Sequence, residues 1–290
     1  MNIQSIENKE ISEDVINRSV NRILNVVLKA QEAIQNSDLS TQFGVTMGKV
    51  KGVLDEHHQI SREIAENSIF LLKNEDSLLP FSPDSSKDKT KIIFVGEFAE
   101  KPHAVGIGSG GVDPYKVDSY FSMSVKIIEN LNKNFSVSYV KGFDAEHGMK
   151  DDSFHTAIQQ AKEFDIVVVF AGTPLYQEGE TKDLKNIKLR EDENSLINEI
   201  CQVNQKVVIV LQNASPIEMP WIDNVRSILE TYFCGESGGV ATANNLFGIV
   251  NPSGHLAESF PISLEDNPSY NNFNKLNIKL KEDVFVSYHY

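Results

Sequence analysis

Basic charge is scarce in this chain: 27 Lys and Arg stand against 41 Asp and Glu, a formal net charge of −14. A surface that negative repels phosphate backbones and anionic bilayers, so neither nucleic acid nor a membrane is expected among its partners, while neutral ligands such as sugars stay open. Cysteine is scarcer still, with Cys201 and Cys234 alone. They form no CxxC pair and no Cys/His cluster, so both read as buried free thiols. No apolar run approaches the ~18 residues that a spanning helix needs. The opening "MNIQSIENKEISED" has no basic flank followed by an apolar stretch, so no secretory leader is read and a cytoplasmic location is expected.

What the chain does have is an ordinary apolar fraction, 40% of 290 residues, enough for one large domain or a domain with an appendage. Residues 12–35 predict an amphipathic helix, with Val15, Ile16, Val20, Ile23, Leu24, Val27 and Leu28 at three-four spacing. A polar, glycine-containing stretch, "NSDLSTQFGVTMGKVKG", reads as a linker, and "DEHHQISREIAENS" as a second helix. From Ile69 onward the texture changes. Apolar runs rich in Val, Ile and Phe at 68–74, 91–98, 135–142, 165–172, 206–213 and 227–233 alternate with helix candidates at 119–133, 151–163, 191–203 and 238–247. Continuous rather than alternating apolar strands imply a sheet covered on both faces, and strand–helix–strand order implies mostly parallel pairing. The fold class expected is therefore α/β, a six-stranded, mostly parallel sheet between helices. Ligands of such sheets bind beyond the carboxyl ends of the strands. Four loops fall there: "GEFAEKPHAVGIGSGGVDPY", "GFDAEHGMKDD", "GTPLYQEGETKD" and "CGESGG".

Two of these loops carry chemistry. "GIGSGG", Gly106–Gly111, fits G-x-G-x-x-G, yet it sits about ten residues past its strand and is followed by "VDPY", with no helix start to face a pyrophosphate. A glycine loop that lets backbone approach a ligand is the better reading, and no cofactor is expected. His57 and His58 are adjacent on a helix and diverge by about 100°, a poor arrangement for one metal. Glu146, His147 and Glu178 in principle share an ion, but no ligand-spacing motif backs that, and no metal is expected. The other loop, "YQEGETKD", crowds Glu178, Glu180 and Asp183 into six residues. It is either a solvated acidic turn or a proton-handling site. In the second case neighbouring negative charge or burial keeps a proton on one carboxyl near neutral pH, for donation to a leaving oxygen. Glycosidic hydrolysis needs such an acid and a second carboxylate across the bond.

Several segments resemble family 3 glycoside hydrolases. "SREIAENSIFLLKNEDSLLPF" (61–81) is similar to the entry of that family's second domain, "GIGSGGVDP" to its glycine-serine loop, and "EGETKDLKNIKL" to its acidic loop. "VVIVLQNASPIEMPW" (207–221), "CGESGGVATANNLFGIVNPSGHLAESFP" (234–261) and the closing "DVFVSYHY" complete the likeness. "ISEDVINRSVNRIL" resembles the last helix of the (β/α)8 barrel that precedes this domain. The resemblance implies residues 1–36 as a remnant of that helix, 37–60 as linker, 61–270 as an α/β sandwich and 271–290 as a C-terminal extension. A barrel takes about 250 residues, and no segment resembles its nucleophile motif. Ala214, His255, Ser287 and His289 depart from the family's usual residues.

By resemblance, the acid/base glutamate is Glu180, with Glu178 as fallback, and Gly108, Ser109, Gly110, Gly111 and Asp113 shape the substrate entrance. The function implied is the acid/base half of a family 3 β-glycosidase acting on β-linked sugars, with a (β/α)8 barrel chain as partner for the nucleophile. The chain alone is expected to be inactive. The alternative is a non-catalytic carbohydrate-binding or interaction module, whose uncovered surface would favour a homo-oligomer. A third reading, a nucleotide-binding α/β domain, rests only on "GIGSGG" and the sheet class.

Overall fold

The computed structural model describes residues 3–8, 10–36, 47–131, 134–145, 147–148, 152–177, 179–180 and 184–272. The chain separates into two compact units, 1–57 and 58–290. The first holds a short helix α1 (Ile3–Glu7), the long helix α2 (Glu13–Asn36) and the start of α3 (Met47–Ser68). The expected N-terminal helix is thus present, with Glu13 and Asp14 in its first turn, where the helix dipole favours acids. Its apolar stripe is uncovered: Val20, Ile23, Leu24, Val27 and Leu28 are all exposed. Helix α3 begins inside the segment read as linker, because Gly48 and Gly52 weaken but do not break a helix.

The second unit is built on a six-stranded sheet: β1 (Phe70–Asn74), β2 (Thr90–Val95), β3 (Phe135–Val140), β4 (Ile166–Gly172), β5 (Val207–Gln212) and β6 (Ser227–Glu230). Strand order is β1-β6-β5-β4-β2-β3. Five strands are parallel, and β1 pairs antiparallel with β6 at the edge. The helices are α4 (Tyr120–Leu131), α5 (Asp152–Ala161), α6 (Glu191–Val203) and α7 (Gly238–Leu246). The order fixes which face each helix covers. The β2–α4–β3 crossover moves one way along the sheet, whereas β3–α5–β4 and β4–α6–β5 move the other. With right-handed crossovers, α4 lies on one face and α5 with α6 on the other. Packing agrees, since α4 meets α7 and α5 meets α6.

The central strands are apolar throughout because both their faces are covered. Every residue of β4 and β5 is buried. Each buried Val, Ile or Leu contributes roughly 1.5–3 kcal/mol by leaving water. The single tryptophan, Trp221, is fully buried and donates its indole N–H to Asn194 Oδ1 at 2.9 Å, so its one polar atom is satisfied. Both cysteines are free and half-buried rather than fully buried.

Candidate active site

Parallel strands deliver their following loops to one edge, here after β2, β3, β4, β5 and β6. The loop after β5 is a fifth member that the sequence reading did not assign to this edge. β2 and β4 are neighbours, and their connections leave to opposite faces, β2 to α4 and β4 to α6. A crevice opens at such a switch point. The two chemistry-bearing loops arise from these two strands, and they meet. Ile107 bridges Gly179 in parallel fashion, and the Ser109 N–H donates to Glu180 Oε2 at 2.8 Å.

Gly108 makes this contact possible. Its φ is +120°, and a Cβ there would lie 2.8 Å from the Cβ of Glu180. Only glycine lets the backbone come this close in this conformation. The loop then turns back, with the Gly111 N–H donating to the Gly108 carbonyl at 3.0 Å. Of the residues expected at the entrance, Gly108 and Ser109 are brought to Glu180, and Gly110, Gly111 and Asp113 continue the exposed loop. Glu178, Asp183 and Glu146 lie outside the described residues.

The electrostatics of Glu180 run opposite to the sequence expectation. Hydrogen bonding from Ser109, side chain first and then backbone, holds its carboxyl below the usual glutamate value, and the group is fully exposed. The charged form is the one being stabilised. In this arrangement Glu180 is a carboxylate able to accept a proton, not an acid holding one.

The loop's two ends are tied down from below. At its start, the Gly172 N–H donates to Glu193 Oε1 at 3.2 Å. At its end, the Arg190 guanidinium donates to the carbonyls of Ala145 at 2.6 Å and Asp144 at 2.5 Å, joining the β3–α5 loop to the start of α6. Its Nε is 3.3 Å from Asp192 Oδ1 and 3.5 Å from Glu193 Oε2. Burial nevertheless outweighs this ion pair and pushes Glu193 up to about 8. That direction fits a side chain that is 1% exposed and whose Oε2 makes no hydrogen bond. The Glu97 carboxylate adds a second tie to the same loop, accepting from the Ala145 N–H at 2.9 Å.

An open groove of about 520 Å³ is lined in part by Tyr176, Gln177, Lys185, Asn186 and Lys188, from the same β4–α6 connection that carries Glu180. Tyr176 is 50% exposed, and its hydroxyl accepts from Gln177 Nε2 at 3.2 Å. Among the described residues no group of His, Cys, Asp and Glu converges so as to hold a metal ion, and no helix is long and apolar enough to cross a membrane.

Sequence reasoning missed three features of this edge. Glu230, at the end of β6, is fully buried and pushed up to about 8 by burial. Arg190 serves as the loop tie. His58 lies between Asp118 and Glu236, at 3.1 and 2.7 Å. A lone Glu inside the apolar run "SILETYF" was a visible signal for the first. Contacts spanning 45 or more positions left none for the other two.

Residues 69–288 match the glycosyl hydrolase family 3 C-terminal domain. Thermostable beta-glucosidase B of Acetivibrio thermocellus is 36% identical over 99% of this chain and 36% of its own length. An exo-alpha-(1->6)-L-arabinopyranosidase of Bifidobacterium breve is 32% identical over 86% of this chain and 33% of its own. The chain therefore spans about a third of the length of these curated relatives. Among solved structures, a beta-glucosidase of Bifidobacterium adolescentis superposes over 98% of this chain and 39% of its own, with TM-score 0.77 and 27% identity. A beta-glucosidase of Listeria innocua in complex with isofagomine superposes over 90% and 34%, with TM-score 0.69 and 25% identity.

Proposed function

We propose, starting from a chain that belongs to glycosyl hydrolase family 3 and carries its C-terminal domain, that it contributes the acid/base residue to a β-glycosidase whose nucleophile sits on a (β/α)8 barrel. The observation that carries this reading is the meeting of the glycine-serine and acidic loops at the β2/β4 crevice, with Glu180 held by the Ser109 N–H. The uncovered apolar stripe of α2 supports it, since that helix resembles the last one of the barrel and offers a face for the rest.

Glu180 alone is an exposed carboxylate held ionised. Acid catalysis requires its proton to be retained near neutral pH. A barrel closing over the loop supplies both missing causes: it removes water from Glu180, and it brings a nucleophile carboxylate whose negative charge disfavours a second one. Glu180 then donates its proton to the departing glycosidic oxygen while the nucleophile attacks the sugar. In the second step it removes a proton from the water that releases the sugar. Tyr176 and the amides beside it offer a platform for the leaving group. The Ser109 hydrogen bonds favour the ionised form, which is the one the second step needs.

The test mixes purified chain with a family 3 barrel chain and follows aryl β-glucoside hydrolysis. Turnover is expected only in the mixture and is expected to fall ~10²–10⁴-fold with Glu180→Gln, the contribution of one acid/base group. Equal turnover by E180Q overturns the assignment. A second reading, a non-catalytic sugar-binding module, takes support from the ionised state of Glu180 and predicts saturable sugar binding with no hydrolysis even when barrel is present.

A further inference from the structure

We propose that His58 is a latch that sets the position of the glycine-serine loop, and through it the Ser109 N–H facing Glu180. Its ring bridges two carboxylates far away in sequence: Nδ1 lies 2.7 Å from Glu236 Oε1, and Nε2 lies 3.1 Å from Asp118 Oδ2. All three side chains are largely buried, at 12%, 14% and 16% exposure. A carboxylate oxygen only accepts, so the two contacts are both hydrogen bonds only when the ring carries both its N–H groups. Removing one proton leaves an acceptor facing an acceptor.

The loop is held at its two ends. Residues 107–117 are exposed throughout. One end is pinned by the Ile107–Gly179 bridge and the Ser109–Glu180 bond. The other end is pinned at the latch. Glu236 Oε2 accepts from the Tyr115 N–H at 3.0 Å, and its carbonyl accepts from the Asp118 N–H at 2.9 Å. The first turn of α7 packs on the same backbone, where a Cβ at Gly239 would lie 2.2 Å from the Asp118 carbonyl. Ser237 Oγ donates to the His58 carbonyl at 2.7 Å, fixing α3 to the β6–α7 loop. His58 thus orients the Glu236 carboxylate, whose other oxygen holds Tyr115. The charges facing the ring are Asp118, from the segment before α4, and Glu236, from the β6–α7 loop; on its own helix Asp55, three residues before it, and Arg62, four after, share its side.

The latch itself does not require catalysis; only its consequence for turnover rests on the Glu180 reading. The test is amide hydrogen exchange on the full chain, comparing wild type with His58→Phe and, as a milder pair that keeps size, Asp118→Asn and Glu236→Gln. Losing a charge-assisted hydrogen bond is expected to speed exchange in peptides covering 106–118 about tenfold or more, with strands β2 and β4 unchanged. Unchanged exchange at 106–118 in folded variants overturns the latch, as does acceleration spread evenly over the sheet. If the loop loosens as expected and turnover in the barrel mixture does not move, the latch stands and the Glu180 reading falls.

Discussion

Replacing Glu230 by Gln should make the domain more stable, and the gain should depend on pH. Glu230 ends β6 with its side chain fully buried, its Oε1 accepting from the Tyr232 N–H at 2.8 Å and its Oε2 from Asn213 Nδ2 at 3.1 Å. Burial raises its titration from 4.5 to about 8. In the unfolded chain the carboxyl ionises from about pH 4.5 upward, whereas in the fold it keeps its proton until about pH 8. Folding in that window takes up a proton, so stability is fully present below the lower value and is lost as pH rises towards the upper one. The slope approaches about 1.4 kcal/mol per pH unit, and the total loss is on the order of 5 kcal/mol. Gln cannot ionise and escapes this loss. Its amide introduces a local mismatch of about 1–2 kcal/mol, which does not vary with pH. The assay is urea denaturation of wild type and E230Q at half-unit steps from pH 5 to pH 8.5. Diverging curves, with the gap widening as pH rises and flattening above about 8, are expected. Parallel curves would refute the claim that a neutral carboxylic acid is buried at the end of β6.

Arg190→Met removes two carbonyl hydrogen bonds and the cation facing Asp192, and should cost about 2–4 kcal/mol in denaturant unfolding; Arg190→Lys should recover only part, since an ammonium lacks the fork that reaches both carbonyls. Gly172→Ala places a Cβ 1.9 Å from the Gln212 carbonyl, in the joint between β4 and β5. That should cost more than about 4 kcal/mol and abolish soluble folded protein, whereas wild-type melting would contradict the geometry. Burial pushes the thiols of Cys201 and Cys234 up to about 11 and about 12. Both should therefore react slowly with a disulfide reagent at pH 8 and rapidly after unfolding; fast labelling of native protein would show exposed thiolates instead.

The sheet was legible because its strands are buried on both faces. "DIVVVFAG" and "KVVIVLQN" are apolar without alternation, and they became β4 and β5. The antiparallel direction of β1 was not legible, since "SIFLLKN" is compatible with either pairing and direction is set by the chain's route. The start of α3 was hidden by Gly48 and Gly52, which lower helix propensity without forbidding the helix that forms. At the site, local sequence marked the glycine loop and the acidic loop, but not that Gly108 would bring Ser109 against Glu180. That requires two strands distant in sequence to be neighbours. The direction in which Glu180 titrates was also out of reach: crowded charges argued for a raised value, and hydrogen bonds from the side chain and then the backbone of Ser109, on another loop, lower it. His58 read as a poor metal ligand because its neighbour His57 diverges from it. Its real partners lie 60 and 178 positions away.

The central claim, that Glu180 carries the proton when this domain works with a family 3 barrel, is tested most directly by leaving-group dependence in the barrel mixture. An alkoxide leaving group needs the proton, and a dinitrophenolate does not. For alkyl β-glucosides E180Q should lose ~10²-fold or more in the glycosylation step, and for the dinitrophenyl glucoside that step should be nearly unchanged. Equal losses with both substrates, or none with either, would contradict the account.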